Sequence, residues 1–203
     1  IKTIGRGLYV ISYKPKYKPL LSDSVFKIAR KTNERFEDIK YAIWETQWLN
    51  EFSQHQTSNQ MIVVEVEKEF VDSLYYYLND NLRMDFFLNP DEKEIQFYIS
   101  ESNVPVIIKR LVTRAPIQKI KNKKAVVPIA TLEKIMVDLF ADENLLHFYQ
   151  GSEMVNIYEK IIDRYSINFT KLFSYAKRRK KEQEIKQFIS NNIPNFLEDI
   201  QYD

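Results

Sequence analysis

The spacing of apolar residues in the C-terminal third places the strongest constraint on the fold. Between residues 132 and 140 apolar side chains recur every three or four positions, which is the pattern of one face of an α-helix. Thr131 stands at the N-cap position of this helix. Similar patterns begin at Ser152 and at Asn168. Each apolar stripe is too narrow for an isolated helix, so the sequence predicts helices that pack on one another and on a larger core.

The middle of the chain has the pattern of a β-sheet with helices packed on it. Residues 61–66 form a short β-branched run that is typical of a buried strand, and residues 67–82 have helical spacing. Further strands are predicted at residues 41–46, 84–88, 95–99, 106–112, 116–120 and 124–129. The predicted fold class is therefore α/β, a mixed sheet with packed helices followed by a C-terminal helical bundle.

The N-terminal residues are predicted to form a separate unit. A strand is expected from Ile4 to Tyr13, and Pro15 and Pro19 interrupt regular structure directly after it. Ser22 is a suitable cap for the helix that follows. We therefore predict a first unit at residues 1–13 and a second at 14–203, with the sheet at about 41–127 and the helical part at about 131–203.

Composition excludes several kinds of site. The 203 residues contain no Cys, two His and three Gly, which leaves no disulfide or thiolate metal site, no His-rich metal centre and little material for a glycine-rich phosphate loop. No apolar run approaches the roughly 20 residues of a membrane-spanning helix. We expect a cytoplasmic protein without metal or cofactor. The net charge of +2 does not by itself indicate a polyanionic partner, so any nucleic-acid signal must lie in local clusters.

The run from Lys177 to Lys181 contains five consecutive cations. The apolar phase that ends at Ala176 does not continue into Ile185, which predicts a turn within the run. Cations at this place stabilise the C-terminus of a helix, and they are also the side chains that bind phosphate without reading sequence. Both interpretations stay open. The candidate DNA-binding residues are Lys2, Arg6, Lys109, Arg110, Arg114, Lys177, Arg178, Arg179, Lys180 and Lys181.

An enzymatic interpretation rests on acids near one predicted strand end. Glu65, Glu67 and Lys68, with Asp85 on a later strand, are the residue types with which metal-dependent nucleases hold a divalent cation. In nucleases of this kind an acid stands two residues before the lysine, on the same face of the strand. Here Val66 occupies that position, which favours the simpler interpretation that Glu65 ends a strand and faces water. His55 and His147 have no recognisable Ser or Cys nucleophile with them, so we predict no catalytic residue.

Two tryptophans allow a third interpretation. Trp44 and Trp48 are four residues apart, and on a helix they would face the same way. Such a pair is a conceivable stacking platform for bases or a surface for a protein partner, although tryptophans more often anchor a core or an interface.

Several segments resemble a known family. The segments IIKRLVTRAPI, TLEKIMVDL and INFTKLFSYAKRRKK are similar to the C-terminal domain of AbiE-type abortive-infection antitoxins, and IGRGLYV resembles the last strand of the wing in a winged helix-turn-helix. This resemblance implies a non-catalytic transcriptional regulator. It also implies two partners, the operator DNA of its own operon and a nucleotidyltransferase toxin encoded alongside. The alternatives are a metal-dependent nuclease-like domain and a protein-interaction module.

Overall fold

The described part of the chain folds into a mixed sheet with helices packed on both faces, which confirms the predicted fold class. A computed structural model describes residues 2–5, 8–10, 14–55, 60–121 and 125–193. Its strands are β1 (Lys2–Gly5), β2 (Leu8–Val10), β3 (Tyr41–Glu45), β4 (Ile62–Val66), β5 (Phe86–Leu88), β6 (Val106–Arg110), β7 (Ile117–Lys121) and β8 (Val126–Ala130).

Two sheets are present in these residues. β1 and β2 form an antiparallel hairpin, and the other six strands form one sheet in the order β5-β6-β4-β3-β8-β7. Within that sheet β5, β6 and β4 are mutually parallel, whereas β3 is antiparallel to β4 and parallel to β8. Glu65 of β4 lies directly beside Lys109 of β6. Since neighbouring residues in register point to the same face of a sheet, this register brings two opposite charges together.

Seven α-helices accompany the strands in the described residues. They are α1 (Asp23–Arg35), α2 (Val71–Asn81), α3 (Glu92–Glu94), α4 (Leu132–Ala141), α5 (Ser152–Arg164), α6 (Phe169–Arg178) and α7 (Glu182–Asn192). Short 3₁₀ turns cover Thr46–Glu51, Lys68–Phe70 and His147–Tyr149, and α3 continues into a π-helix at Ile95–Ile99. None of these helices is both long enough and apolar enough to cross a bilayer.

The core lies on both sides of the six-stranded sheet. All five residues of β3 and of β4 are buried, so both faces of these central strands are covered. On one face Tyr41 of β3 donates a hydrogen bond of 2.8 Å to the side chain of Asn33 in α1. On the other face Glu65 contacts Lys134 of α4. Because successive residues of a strand alternate between faces, these two contacts define an α1 side and an α4 side.

The structure corrects two predicted strands. Residues 95–99 are helical because a capping box starts a helix just before them: the Glu94 N–H donates to Asp91 at 2.8 Å, and Glu94 accepts from the Asp91 N–H at 3.0 Å. The single strand expected from Ile4 to Tyr13 is instead the hairpin of β1 and β2, and residues 11–13 lie outside the described part. The predicted cap at Ser22 is present, whereas Thr131 occupies the N-cap position without a side-chain bond. The side chain of Asn168, where the third helical pattern begins, also caps its helix.

Candidate functional site

Six charged side chains meet between the sheet and the C-terminal helices, and we refer to them as the ion-pair network. They are Glu65 of β4, Lys109 of β6, Lys134 and Asp138 of α4, Asp142 just after α4, and Arg179 just after α6. Three are carboxylates and three are cations, so the formal charge of the network is zero. This balance matters because removing one member of a buried ion pair leaves the other charge without a partner and lowers the free energy of unfolding by roughly 3–5 kcal/mol.

Lys134 is the centre of the ion-pair network and is fully buried. Its ammonium contacts the carboxylates of Glu65 and Asp138. Lys134 and Asp138 are four residues apart on α4 and therefore share one face of the helix. The Tyr175 hydroxyl of α6 donates a hydrogen bond of 3.0 Å to Oδ1 of Asp138. Sheet, α4 and α6 are thus joined through one lysine and its two acids.

The outer members of the ion-pair network are partly accessible. Nζ of Lys109 lies 2.5 Å from Oδ2 of Asp142 and 3.9 Å from Oε1 of Glu65. Arg179 bridges two acids, with Nη1 at 3.1 Å from Oδ1 of Asp138 and Nη2 at 3.0 Å from Oδ1 of Asp142. Arg179 therefore ties the end of α6 to α4, while Lys109 ties the end of α4 to the sheet.

The two acids keep Lys134 protonated. Burial by itself lowers the pKa of a lysine, but the attraction of Asp138 and Glu65 outweighs it, so the pKa of Lys134 is raised above its usual 10.5. Burial also raises the pKa of Glu65, against the opposing attraction of Lys134. A raised folded-state pKa means that the stability contributed by Lys134 is fully present below pH 10.5 and is lost only as the pH rises through the higher value.

Asp142 gives the ion-pair network a dependence on acid pH. Burial favours the neutral carboxyl, but Lys109 and Arg179 outweigh it and hold the pKa of Asp142 below its usual 3.8. The stability it contributes is therefore present above pH 3.8 and lost as the pH falls through the lowered value. We expect Asp142→Asn to be less stable than wild type at neutral pH and to lose less stability on acidification, in urea denaturation at a series of pH values. Asp72→Asn, on the exposed side of α2, is the control. Equal pH dependence in wild type and Asp142→Asn would contradict this expectation.

Residues 177–181, the basic turn, end α6 and lead into α7. The Lys181 N–H donates to the Ala176 carbonyl at 3.0 Å, and the Lys180 N–H donates to the Lys177 carbonyl at 3.2 Å. Lys180 has a φ of 59°, in the left-handed region. These are the features of a Schellman C-cap, with lysine at the position that glycine usually occupies. The helix therefore ends inside the run of cations, where the sequence predicts a turn.

The left-handed conformation of Lys180 can be tested through stability. A left-handed residue with a Cβ costs roughly 1–2 kcal/mol, part of which glycine loses again through its greater freedom in the unfolded chain. We expect Lys180→Gly to raise the free energy of unfolding by about 1 kcal/mol in urea denaturation. Lys180→Ala removes the same charge but keeps the Cβ, so it serves as the control and should show no such gain. Equal stability of the two variants would show that this residue carries no backbone strain.

Four of the predicted cations are accessible, three within the basic turn and one beside it. Arg114, Lys177, Arg178 and Lys180 are exposed. Nη1 of Arg178 donates a hydrogen bond of 2.9 Å to Oγ1 of Thr113, which places the segment that carries Arg114 next to the basic turn. Among the residues that the structure describes, these four cations have no carboxylate within 4 Å, although Glu182 is near enough to attract Lys177. Their charge is therefore available to an external anion.

The other predicted DNA-binding residues are arranged differently. Lys109 and Arg179 belong to the ion-pair network, with side chains that are only 15% and 12% exposed, so we leave them out of the candidate surface. Lys181 pairs with Glu184 at 2.6 Å. Arg110 is exposed, but it follows Lys109 on β6 and so points to the α1 side of the sheet. Arg6 and the side chain of Lys2 lie outside the described part of the chain.

The structure does not bring the nuclease-like residues together. Glu65, predicted to face water, is fully buried because it pairs with Lys134. Asp85 lies just before the start of β5. The register of β5 and β4 on β6 places it about four residues from the level of Glu65, or roughly 13 Å along the strand direction. Asp85 accepts a hydrogen bond of 2.6 Å from Ser102, and Glu67 accepts one of 3.1 Å from the N–H of Lys40. Lys68 is exposed in the 3₁₀ turn after β4. No group of three His, Asp or Glu suited to a metal ion occurs in the described ranges.

The tryptophans are part of the core. Trp44 lies in β3 and Trp48 in the following 3₁₀ turn, and both are buried. Nε1 of Trp48 donates to the buried carboxylate of Glu45 at 3.2 Å. The interpretation as a stacking platform is therefore wrong, and the interpretation as core anchors is confirmed. His147 is exposed, and its ring contacts that of Phe148 at a tilt of 39°, with ring centroids 3.8 Å apart.

The ion-pair network was not predicted as a unit, although the sequence holds two signals for it. Glu65 is a lone acid in a run of residues that reads as a buried strand, and a buried acid requires a cation. Lys134 and Asp138 are spaced four apart beside the apolar stripe of α4. The partners Lys109 and Arg179 had no comparable signal, because only the register of the sheet and the turn after α6 bring them to the same place.

Comparison with known proteins shows the family but no characterised relative. No curated protein and no solved structure matches the chain. A family model described as a family of unknown function, DUF6577, matches residues 1–195 and so includes the hairpin, the sheet, the ion-pair network and the basic turn. The chain therefore belongs to the DUF6577 family.

Proposed function

We propose that this chain is the non-catalytic body of a DNA-binding transcriptional regulator of the antitoxin type, acting in the cytoplasm. The accessible cations Arg114, Lys177, Arg178 and Lys180 bind the phosphate backbone of DNA. Cations of this kind displace condensed counterions and give an affinity that does not depend on base sequence. The observation that carries this assignment is that all four are exposed and have no carboxylate within 4 Å in the described residues.

The fixed position of the basic turn supports this function. Arg179 lies within the same run of cations but is held by Asp138 and Asp142 at 3.1 and 3.0 Å. Its neighbours Arg178 and Lys180 are thereby kept on the outside of the molecule. A surface that is already ordered loses less conformational entropy when it binds, which makes each phosphate contact more favourable.

From the resemblance of IGRGLYV to a wing strand, the hairpin of β1 and β2 is assigned to the part of the regulator that reads the operator. The pairing of β1 with β2 in a separate antiparallel hairpin is in keeping with a wing, and IGRGLYV supplies the resemblance. We assign Lys2 of this hairpin, and Arg6 of the same segment of sequence, to additional contacts with the DNA backbone. Arg110 points to the α1 side of the sheet and is left out of the proposed DNA-binding surface. As the resemblance implies, the regulator represses its own operon and opposes a nucleotidyltransferase toxin.

The salt dependence of DNA binding tests this function. Each phosphate contact contributes about −0.9 to the slope of log affinity against log salt concentration on duplex DNA. Four cations of the described surface therefore contribute roughly −3 to −4 to the slope, and contacts of Lys2 and Arg6 would make it steeper; fluorescence anisotropy with labelled duplexes measures it. Duplexes of unrelated sequence should bind with similar affinity. Absence of binding at low salt, or an affinity that does not respond to salt, would contradict the assignment.

A further inference from the structure

A second surface has the opposite charge. The segment of residues 85–104 contains five acids, Asp85, Asp91, Glu92, Glu94 and Glu101, and one base, Lys93, for a net charge of −4 in a chain of net charge +2. Asp91, Glu92 and Glu101 are exposed, as is Glu143 of the segment packed nearby. A surface of this sign repels nucleic acid, so it is not part of the DNA-binding surface assigned to the basic turn.

The same segment and its neighbour at residues 143–148 expose large apolar side chains. Phe97 and Tyr98 of the π-helix are 58% and 64% exposed, and Val104 and Phe148 are 39% exposed. Most aromatic side chains of the described residues lie in the core or pack against it, and exposed apolar groups that cluster with a polar rim mark interaction surfaces. We refer to residues 91–104 and 143–148 together as the acidic aromatic face.

An open cleft lies within the acidic aromatic face. Its volume is about 350 Å³, and its lining consists of Glu92, Ile95, Gln96, Ser100, Asn144 and His147. The capping box of Asp91 and Glu94 fixes the start of the helical segment, and Nδ2 of Asn144 donates to Glu92 at 2.7 Å across the cleft. The segment continues as a π-helix, a rare conformation that occurs frequently at functional sites. The hydrogen bond between Asn144 and Glu92 therefore ties the two sides of the cleft together.

We propose that the acidic aromatic face is a docking site for a basic polypeptide segment with an apolar anchor. The acids match lysines and arginines of the partner, and the exposed rings of Phe97 and Tyr98 contact its apolar side chain. The cleft is lined mostly by polar residues, and with Glu92 in its lining it receives one of the partner's cations. Charge complementarity of this kind sets partner choice and orientation, while a few buried aromatic contacts supply most of the affinity. This inference does not depend on the DNA-binding function, because no residue of the acidic aromatic face belongs to the basic turn or to its neighbour Arg114.

Binding of a synthetic probe tests this docking site. The probe is a fluorescently labelled amphipathic peptide of leucine and lysine, and its counterpart of leucine and glutamate with the same pattern is the charge control. We expect the lysine peptide to bind the chain and the glutamate peptide not to bind, in fluorescence anisotropy. The double variants Phe97→Ser with Tyr98→Ser and Glu92→Gln with Glu101→Gln should each weaken binding at least about tenfold, the effect of losing one interface anchor.

Tyr76→Ser is the matched control, because Tyr76 is a similarly exposed aromatic residue on α2. An equal effect of this substitution would show general stickiness and overturn the docking site. An unchanged affinity after loss of Phe97 and Tyr98 would leave only long-range attraction between charges, which also overturns it. The same holds if neither peptide binds. If the protein alone associates in sedimentation experiments and the Phe97 and Tyr98 substitutions abolish this, a second copy is the occupant and the inference is wrong.

Discussion

Replacing Lys134 by methionine is expected to lower the free energy of unfolding by about 3–5 kcal/mol. Methionine has a similar length and fits an apolar site, so the main change is the loss of the ammonium. The substitution leaves the fully buried Glu65 without its nearest cation and removes one partner of Asp138. A buried carboxylate that loses its partner keeps the full cost of desolvation, which explains the size of the effect. Urea denaturation followed by circular dichroism measures it.

A double variant separates this charge effect from simple loss of packing. Lys134→Met combined with Glu65→Leu removes the orphaned acid, and we expect it to recover a substantial part of the lost stability, since an apolar replacement of a buried ion pair is often neutral. If the single variant does not fold, a folded double variant still supports the account. Lys171→Met, at an exposed position of α6, is the control and should change stability by no more than about 0.5 kcal/mol. A loss below about 1 kcal/mol in Lys134→Met would contradict the central place of this lysine.

Neutralising the exposed cations of the basic turn is expected to weaken DNA binding by about 100-fold at low salt. The variant is Lys177→Gln with Arg178→Gln and Lys180→Gln, and each cation near an anionic surface contributes on the order of 1 kcal/mol. Arg179 stays unchanged because it holds the ion-pair network together, so the helix content should match wild type. Fluorescence anisotropy with a labelled duplex measures the affinity.

A matched variant on α1 controls for net charge. Lys27→Gln with Arg30→Gln and Arg35→Gln removes the same three charges from exposed positions on the other side of the sheet. We expect it to bind DNA with nearly the affinity of wild type, because it changes the overall field but no proposed contact. An equal loss in both variants would mean that only net charge matters and that the basic turn is not a binding surface.

Local pattern was sufficient to predict most of the fold. The β-branched run at residues 62–66 and the apolar stripe of α4 appear where periodicity places them, since both bury one continuous set of side chains. Residues 95–99 have equally apolar and aromatic composition, yet they are helical. The capping box at Asp91 decided that segment, which shows how a local hydrogen-bond pattern overrides β-propensity.

The candidate site was only partly predictable, because the directions of its side chains depend on the packed structure and not on the local sequence. A run of five cations gives no indication of which side chains point inward, and the turn at Lys180 decides that Arg179 enters the ion-pair network while Arg178 and Lys180 remain outside. Likewise, Lys109 and Arg110 are adjacent in sequence but point to opposite sides of the sheet. Such assignments depend on sheet register and on the packing of α6 against α4, which no local pattern contains.

The difference in salt slope between wild type and the basic-turn variant tests the central claim most directly. With three phosphate contacts removed, the slope of log affinity against log salt should become shallower by roughly 2.7, while the α1 variant keeps the slope of wild type. Identical slopes for wild type and the Lys177, Arg178 and Lys180 variant would contradict the assignment of this surface to DNA.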